Sequence, residues 1–120
     1  TVLPRNPYLV QGEGLNSTIG VGKNHIIKEV RDLKKISYGD VIICPKNLLH
    51  HFDDLKKTKG IIIEGSVTDP KFKYFIQLTQ IPTVTQISHA SKILRNGDIV
   101  TVHAKKGTII KGSIMVHNIF

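Results

Sequence analysis

The segment GSVTDPKFKYFIQLTQIP, residues 65–82, decides the fold class because a glycine-led loop passes there directly into an amphipathic helix. Asp69 and Pro70 are residue types that favour the N-cap and the first helical position, respectively. The apolar residues that follow lie on one face at helical spacing: Phe72, Phe75 and Ile76. The segment therefore predicts a helix over 70–80 that packs on a core and starts at a loop.

Apolar runs on both sides of this helix are typical of buried strands. GDVIICP (39–45) and GIIIEG (60–65) are short and bounded by turn residues, as in strands covered on both faces. Further strands are predicted at YLVQ (8–11), NHIIKEV (24–30, after the Gly20 and Gly22 pair), IPTV (81–84) and the hairpin DIVTVHAKKGTIIKG (98–112). Strands alternating with helices predict an α/β fold with buried strands near 40–44 and 60–64.

Two other segments are predicted to be helical. LLHHFDDLKK (48–57) places four apolar residues on one helical stripe, which predicts a helix near 48–58: Leu48, Leu49, Phe52 and Leu55. HASKILRNG (89–97) is interpreted as a helical turn with Ser88 as its N-cap and Gly97 as its C′ residue.

Length and composition favour one folded domain. The chain has 120 residues, of which 40% are hydrophobic and 22% charged, so it can bury a core. Cys44 is the only cysteine, which excludes an internal disulfide and favours a reducing compartment such as the cytoplasm. No apolar run approaches the roughly 20 residues that a membrane helix needs, so we do not expect a membrane protein.

The net charge of +8 raises the hypothesis of a nucleic-acid or anion-binding module. Lysines and arginines are, however, spread over several predicted elements, and neither zinc-finger spacing nor an aromatic RNA-binding signature is present. We therefore interpret the charge as a solvated basic surface and keep nucleic-acid binding as an alternative.

The glycine-rich segment GEGLNSTIGVGKN (12–24) is similar in appearance to a phosphate-binding loop. A P-loop would need glycine at 17 and serine or threonine at 24, where Ser17 and Asn24 stand, and the dinucleotide frame also breaks at Ser17. We expect no cofactor there, and we assign these glycines to turns and close backbone approach.

The order of several motifs resembles a known family. The chain contains GVGK, GDVIICP, IIIEGS, a helix, IPTV, ASKILRNGDIVTV and KKGTIIKG in that order, from about Gly14 to Gly112. This order is similar to that of the swivelling phosphohistidine domain of phosphoenolpyruvate-utilising enzymes, which include pyruvate phosphate dikinase, phosphoenolpyruvate synthase and some bacterial pyruvate kinases. The resemblance implies a single swivelling β/β/α domain, here residues 1–120, within or derived from a larger multidomain protein. It also implies partner domains of two kinds, an ATP-grasp domain and a phosphoenolpyruvate or pyruvate barrel.

The resemblance fails at the residue that carries the phosphoryl group. The family carries it on histidine in a TSHA-like loop before the helix, and here that position falls at Asp69, Pro70 or Lys71, depending on where the gap is placed. No histidine occurs between His51 and His89. The loop itself is kept in a degenerate form, with Gly65, Ser66, Thr68 and Asp69. We therefore predict no catalytic residue at this loop.

The histidines outside the loop offer two weaker hypotheses. SHAS (88–91) is similar to TSHA but lies further along the chain. We align it with the helix that precedes the C-terminal hairpin and place His89 in the exposed first turn of that helix. His50 and His51 with two nearby aspartates could place one histidine and one aspartate on a helical face, which is too few ligands for a metal site. We expect no metal.

Three functional hypotheses follow from the sequence. The first is a degenerate phosphotransfer domain that acts as a structural, docking or regulatory module. The second is an active phosphocarrier whose acceptor has moved to His89 or Asp69. The third is a basic module that binds anions or nucleic acid.

Overall fold

The two apolar runs predicted as buried strands lie side by side in the middle of one eight-stranded sheet. The structure is a computed structural model and describes residues 9–112. Its strands are β1 Leu9–Gln11, β2 Glu13–Gly14, β3 Ile19–Ile26, β4 Val41–Ile43, β5 Gly60–Ile62, β6 Thr83–Thr85, β7 Ile99–His103 and β8 Thr108–Lys111. Its α-helices are α1 Val30–Leu33, α2 Phe52–Leu55, α3 Pro70–Thr79 and α4 Ala90–Ile93, with 3-10 turns at Lys46–Leu48 and Ala104–Lys106.

The sheet has a parallel part and an antiparallel part that share β3. The strand order is β1-β8-β7-β3-β4-β5-β6-β2. The first half of β3 pairs antiparallel with β7, from Ile19 opposite His103 onward, and its second half pairs parallel with β4, ending at Ile26 opposite Ile43. Strands β3 to β6 all run parallel, and β2 closes the edge antiparallel to β6.

Two apolar clusters make the fold a β/β/α sandwich. Val41, Ile43 and Ile62 face the antiparallel strands, where they join Val100, Val102 and Ile109 in one buried cluster. The alternate residues of the same strands face the helices and join a second cluster: Ile42, Ile61, Ile63, Phe72 and Ile76. The parallel strands are therefore covered on both faces, which explains why their sequences are continuous apolar runs. The predicted α/β class is confirmed.

The predicted helix after residue 69 and the predicted C-terminal hairpin are present. Helix α3 spans Pro70–Thr79 and buries the three residues assigned to its inward face. Strands β7 and β8 form the hairpin, with Val100 opposite Lys111 and His103 opposite Thr108.

The glycine-rich segment allows backbones to approach one another. A side-chain carbon on Gly14 would collide with the carbonyl of Ala104, and one on Gly20 would collide with the carbonyl of Lys59. The predicted structural role of these glycines is therefore confirmed for Gly14 and Gly20. A larger residue at either position would force the layers apart.

The single helix predicted over 48–58 is wrong. The segment forms a 3-10 turn at Lys46–Leu48 and the short helix α2, separated by a turn at Leu49 and His50. The four apolar residues of the predicted stripe still contribute to the core beneath the helices. Histidine, phenylalanine and aspartate have low helix propensity, so burial of the leucines decides the local path of the chain.

The strand predicted over 24–30 begins and ends earlier. Strand β3 contains Gly20 and Gly22 and stops at Ile26, after which the chain turns into α1. Helix α1 was not predicted from the sequence. Its first turn is held by Asp32, whose carboxylate accepts backbone N–H bonds from Lys28 at 2.8 Å and Glu29 at 2.9 Å.

Those hydrogen bonds also perturb the acidity of Asp32. The backbone N–H of Lys28, followed by that of Glu29, stabilises the ionised carboxylate and lowers the pKa of Asp32 below its ordinary value. Asp32 also lies 3.9 Å from the Lys35 ammonium. The charge of Asp32 therefore supports the start of α1.

The capping predicted for the segment before β7 is also wrong. His89, with φ 56°, occupies the N-cap position of α4, and no side chain caps that helix. The helix ends at Leu94 in an extended conformation, and Gly97, with φ 91°, belongs to the turn that precedes β7. Ser88 is therefore not the cap, because the chain enters α4 one residue later.

Within residues 9–112, none of the helices is both long enough and apolar enough to cross a bilayer. Tyr8, the first residue of the strand predicted at 8–11, lies outside the described residues.

Candidate functional site: the loop before helix α3

The parallel strands bring three segments together at one edge of the sheet. The 3-10 turn beginning at Lys46 follows β4, the loop 65–69 follows β5, and the segment 86–89 follows β6. The backbone N–H of Gln86 donates to the carbonyl of Gly65 at 2.9 Å, which joins two of these segments directly. Carboxyl ends of parallel strands form the usual ligand-binding edge of α/β sheets.

The loop ends in a well-formed helix N-terminus. The Asp69 carboxylate accepts the backbone N–H of Lys71 at 3.0 Å, and Pro70 is the first helical residue, as predicted. Asp69, Pro70 and Lys71 are all exposed. The three alternatives for the acceptor position thus lie at the surface, but one is occupied with capping and another is a proline without a nucleophilic atom.

A cavity of about 200 Å³ lies beside the loop, and we call it the loop cavity. It is bounded by residues from the loop and from the segment after β4: Lys46, Leu49, His50, Ser66, Val67, Thr68 and Asp69. Three of the four residues predicted for the degenerate loop therefore line one cavity. The fourth, Gly65, is not among the residues that line the cavity.

Lys46 reaches over the beginning of the loop. Its Nζ atom lies 3.6 Å from the position that a side-chain carbon on Gly65 would occupy. Gly65 has φ 91°, a conformation that residues with a side chain rarely adopt. Glycine at this position permits the turn from β5 into the loop.

Sequence reasoning did not place His50 beside the loop. It lies in the turn that replaces the predicted helix, and its exposed side chain lines the loop cavity. Its ring centroid is 4.1 Å from that of His51. The position of His50 could have been expected from the order of the strands. Segments that follow two neighbouring parallel strands begin at the same edge of the sheet, and His50 follows β4 as the loop follows β5.

His89 lies at the same sheet edge but outside the loop cavity. It follows β6, three residues after Gln86, and its side chain is exposed. It is not among the residues that line the loop cavity. His89 therefore lies at the same sheet edge as the loop but does not line the loop cavity with Ser66 and Thr68.

Cys44 lies immediately after β4, and its thiol is buried and unreactive. Its side chain is buried in the core beneath the helices, and its Sγ lies 3.5 Å from the carbonyl oxygen of Pro45. Burial raises the pKa of the Cys44 thiol to about 12. The group is therefore a neutral thiol near neutral pH and a poor nucleophile.

Much of the basic charge near α1 and α2 is paired. Four lysines lie 3.2–4.0 Å from aspartate oxygens: Lys34 and Lys57 beside Asp54, Lys35 beside Asp32, and Lys56 beside Asp53. The Lys56 and Asp53 pair is exposed, whereas Asp54 is buried and has two lysines beside it at the surface. These aspartates offset part of the positive charge that raised the hypothesis of a nucleic-acid interface.

The metal hypothesis at His50 and His51, and the position of His103, can be compared with the structure. Within residues 9–112, no three histidine, cysteine, aspartate or glutamate side chains are grouped to hold a metal ion. His103 is buried at the end of β7, and its Nδ1 accepts the backbone N–H of Lys106 at 3.4 Å. His103 thus caps a turn and is remote in sequence from the loop.

Known proteins resemble this chain over nearly its whole length. It is 29% identical over 116 residues to a probable phosphoenolpyruvate synthase of Methanothermobacter thermautotrophicus, covering 96% of this chain and 17% of that protein. It is 24% identical over 107 residues to a pyruvate kinase of Lactobacillus delbrueckii subsp. bulgaricus, covering 88% of this chain and 18% of that protein. A scan against models of protein families found no match.

These relatives confirm the resemblance to phosphoenolpyruvate-utilising enzymes that the motif order predicted. A phosphoenolpyruvate synthase of Pseudomonas aeruginosa is also similar, with 24% identity over 103 residues that span 13% of it. The chain therefore spans 13–18% of the length of these curated relatives and corresponds to a small segment of each.

Two solved structures share the fold. The holo form of aconitase X from Thermococcus kodakaraensis superposes with a TM-score of 0.67 at 16% identity, covering 88% of this chain and 98% of that one. A UPF0107 protein solved by NMR gives a TM-score of 0.63 at 15% identity, covering 88% of this chain and 99% of that one. At these identities the likeness establishes the fold alone.

Proposed function

We propose that this chain is a swivelling domain of the phosphoenolpyruvate-utilising type that has lost its phosphoryl-acceptor histidine and acts as a structural, docking or regulatory module. The similarity to segments of phosphoenolpyruvate synthases and pyruvate kinases supports the type of domain. Its partners are an ATP-grasp domain or a phosphoenolpyruvate or pyruvate barrel, in the same or another chain, in the cytoplasm.

The observation that carries the proposal is the composition of the loop before α3. Loop 65–69 presents glycine, serine, valine, threonine and aspartate, and the one carboxylate among them caps the helix. An imidazole is a nucleophile near neutral pH, whereas hydroxyls need a general base and a capping carboxylate is engaged by backbone N–H groups. The loop therefore keeps the shape of a carrier site without its nucleophile.

A docking role agrees with the surface around the loop. Tyr74 and Leu78, one turn apart on the outer side of α3, are 62% and 65% exposed. Lys71 and Lys73 flank them, and α3 carries no acidic residue. An exposed aromatic and apolar pair is suited to the centre of a contact with a neighbouring domain, and the two lysines are suited to its polar rim.

The second candidate is an active carrier with a relocated acceptor. His89 favours it, because this histidine is exposed and follows the strand next to the loop. Asp69 is the weaker acceptor, since phosphorylation would remove the carboxylate from the N-terminus of α3.

Intact-mass spectrometry separates the two candidates. The chain is incubated with phosphoenolpyruvate, or with ATP, in the presence of an active phosphoenolpyruvate synthase that lacks its own swivelling domain. That enzyme's native swivelling domain is the positive control. We expect the control to gain a phosphate and this chain to keep its mass. A phosphate that appears on this chain and disappears in His89→Gln or Asp69→Asn would establish the relocated carrier instead.

A further inference from the structure

We propose that the outer side of α3 docks against an acidic surface of another protein domain, through a face that is separate from the loop cavity. This docking face consists of five exposed residues: Lys71, Lys73, Tyr74, Gln77 and Leu78. The inference rests on the docking role proposed above, and it adds the place of contact and the chemistry of the partner.

Tyr74 and Leu78 form the apolar centre of the docking face. They are four residues apart in α3, so they are neighbours on one side of the helix, and their exposed fractions are 62% and 65%. The opposite side of α3 buries Phe72, Phe75 and Ile76 in the core. Helix α3 therefore presents an aromatic and an apolar side chain to solvent, and tyrosine is enriched at the centres of protein interfaces.

A groove of about 480 Å³ lies beside the docking face, between α3 and the segment 14–16. Its lining combines backbone, apolar, amide and cationic groups: Gly14, Leu15, Asn16, Lys73, Gln77 and Gln80. Lys73 and Gln77 belong to both the groove and the docking face. Of the described residues, none lines both this groove and the loop cavity. A partner can therefore extend from the helix into the groove without entering the loop cavity.

The charge of the docking face specifies an acidic partner. Helix α3 contains two lysines and no acidic residue, and neither aspartate nor glutamate is among the described residues that line the groove. Lys71 and Lys73 take part in none of the six ion pairs found within residues 9–112. A partner that places carboxylates opposite these two ammonium groups is complementary in charge at the rim, while its apolar side chains meet Tyr74 and Leu78.

The same charges argue against two other occupants. A second copy of the chain would bring the lysines of one docking face against those of the other, because a two-fold interface pairs a patch with itself, and each copy carries a net charge of +8. Nucleic acids bind more tightly as more phosphates are neutralised, and the docking face offers only Lys71 and Lys73 around an apolar centre. An acidic protein surface with an apolar centre matches both parts of the face.

The first experiment is photo-crosslinking in the native cells, with p-benzoylphenylalanine at position 74 of the protein. The same reagent at position 38 is the matched control, because Tyr38 is also an exposed tyrosine, at 83%, and lies outside the docking face. We expect position 74, but not position 38, to crosslink to a protein segment that carries aspartates or glutamates around an apolar residue. Crosslinking to a second copy or to nucleic acid, or crosslinking no stronger than that from position 38, would overturn the inference.

The second experiment measures the Kd between the chain and the purified crosslinked protein at low and high salt. Tyr74→Ala should weaken binding about tenfold, as expected for an aromatic residue at an interface centre. The double variant Lys71→Glu, Lys73→Glu should weaken binding more at low salt than at high salt, because salt screens the rim charges. Replacing the carboxylates of the partner segment with lysines should restore binding to this variant.

Lys105→Glu, Lys106→Glu is the matched control for the double variant, because both lysines are exposed and lie on the hairpin between β7 and β8. Equal weakening by the two double variants would indicate a diffuse charge effect and would overturn the docking face. Circular dichroism verifies that each variant is folded.

The docking face and the loss of the acceptor can fail separately. A covalent phosphate in the intact-mass experiment would contradict the loss of the acceptor and would leave the crosslinks from position 74 in place. An unphosphorylated chain that gives no crosslink from position 74 above the control would overturn the docking face alone.

Discussion

The Asp69 carboxylate and the backbone N–H of Lys71 are joined by a hydrogen bond of 3.0 Å at the first turn of α3. This bond satisfies one of the N–H groups that every helix leaves unpaired at its start. The carboxylate that lines the loop cavity therefore stabilises the helix that follows the loop.

Replacing Asp69 with alanine should lower the free energy of unfolding by about 1 kcal/mol, the usual cost of removing an N-cap side chain. Asp69→Asn should keep most of that stability, because the amide oxygen also accepts the N–H bond. Urea unfolding of the three proteins measures both differences. Equal stability of the Asp69→Ala variant and the natural chain would remove the capping role and make Asp69 a candidate functional residue.

Cys44 should resist alkylation in the folded chain. Burial raises the pKa of the thiol from its ordinary 9.0 to about 12, so hardly any thiolate exists at mildly alkaline pH. Iodoacetamide labelling followed by mass spectrometry should give little product in buffer and rapid labelling in concentrated urea. Rapid labelling of the folded chain would show that the thiol is accessible and ionised.

The same shift predicts a loss of stability at high pH. Because the folded thiol holds its proton while the unfolded thiol releases it, stability is complete below pH 9.0 and declines as pH rises from 9.0 towards about 12. Cys44→Val, which has no ionisable group, should show a shallower decline in urea unfolding over the start of that range. Identical slopes would indicate that the thiol does not titrate as its burial requires.

Asp32 should contribute stability with the opposite dependence on pH. Its pKa is lowered in the fold by the backbone N–H bonds from Lys28 and Glu29, so its contribution is present above its ordinary pKa of 3.8 and is lost as the pH falls through the folded value. Asp32→Ala should therefore be less stable than the natural chain at neutral pH, and the difference should shrink in acid. Asp53→Ala removes a carboxylate that is 97% exposed and controls for net charge. A gap that stays constant with pH would contradict the role of ionised Asp32.

The buried strands and α3 could be predicted because their sequences are locally unambiguous. Strand β4 is an uninterrupted apolar run whose alternate residues fill the two core layers, Val41 on one side and Ile42 on the other. Helix α3 combines an N-cap, a proline and an apolar face, and all three act as the general rules require. In these segments propensity, pattern and packing agree.

The segment after β4 and the site could not be predicted in the same way. The apolar stripe from Leu48 to Leu55 packs on the core, but a turn at Leu49 and His50 divides the helix that its periodicity implied. That turn carries His50 to the loop cavity. Positions 50 and 66 line the same cavity because β4 pairs in parallel with β5, and no local rule of spacing contains that pairing.

A phosphopeptide map determines whether this chain has lost phosphoryl transfer to histidine, as we propose. The chain is incubated with phosphoenolpyruvate or ATP and an active partner enzyme, digested at alkaline pH to preserve phosphohistidine, and searched at His50, His51 and His89. We expect no phosphohistidine on this chain, while the swivelling domain of an active phosphoenolpyruvate synthase is labelled under the same conditions. An acid-labile, base-stable phosphate at one of these histidines, abolished by replacing that residue with glutamine, would contradict the claim and identify a relocated carrier.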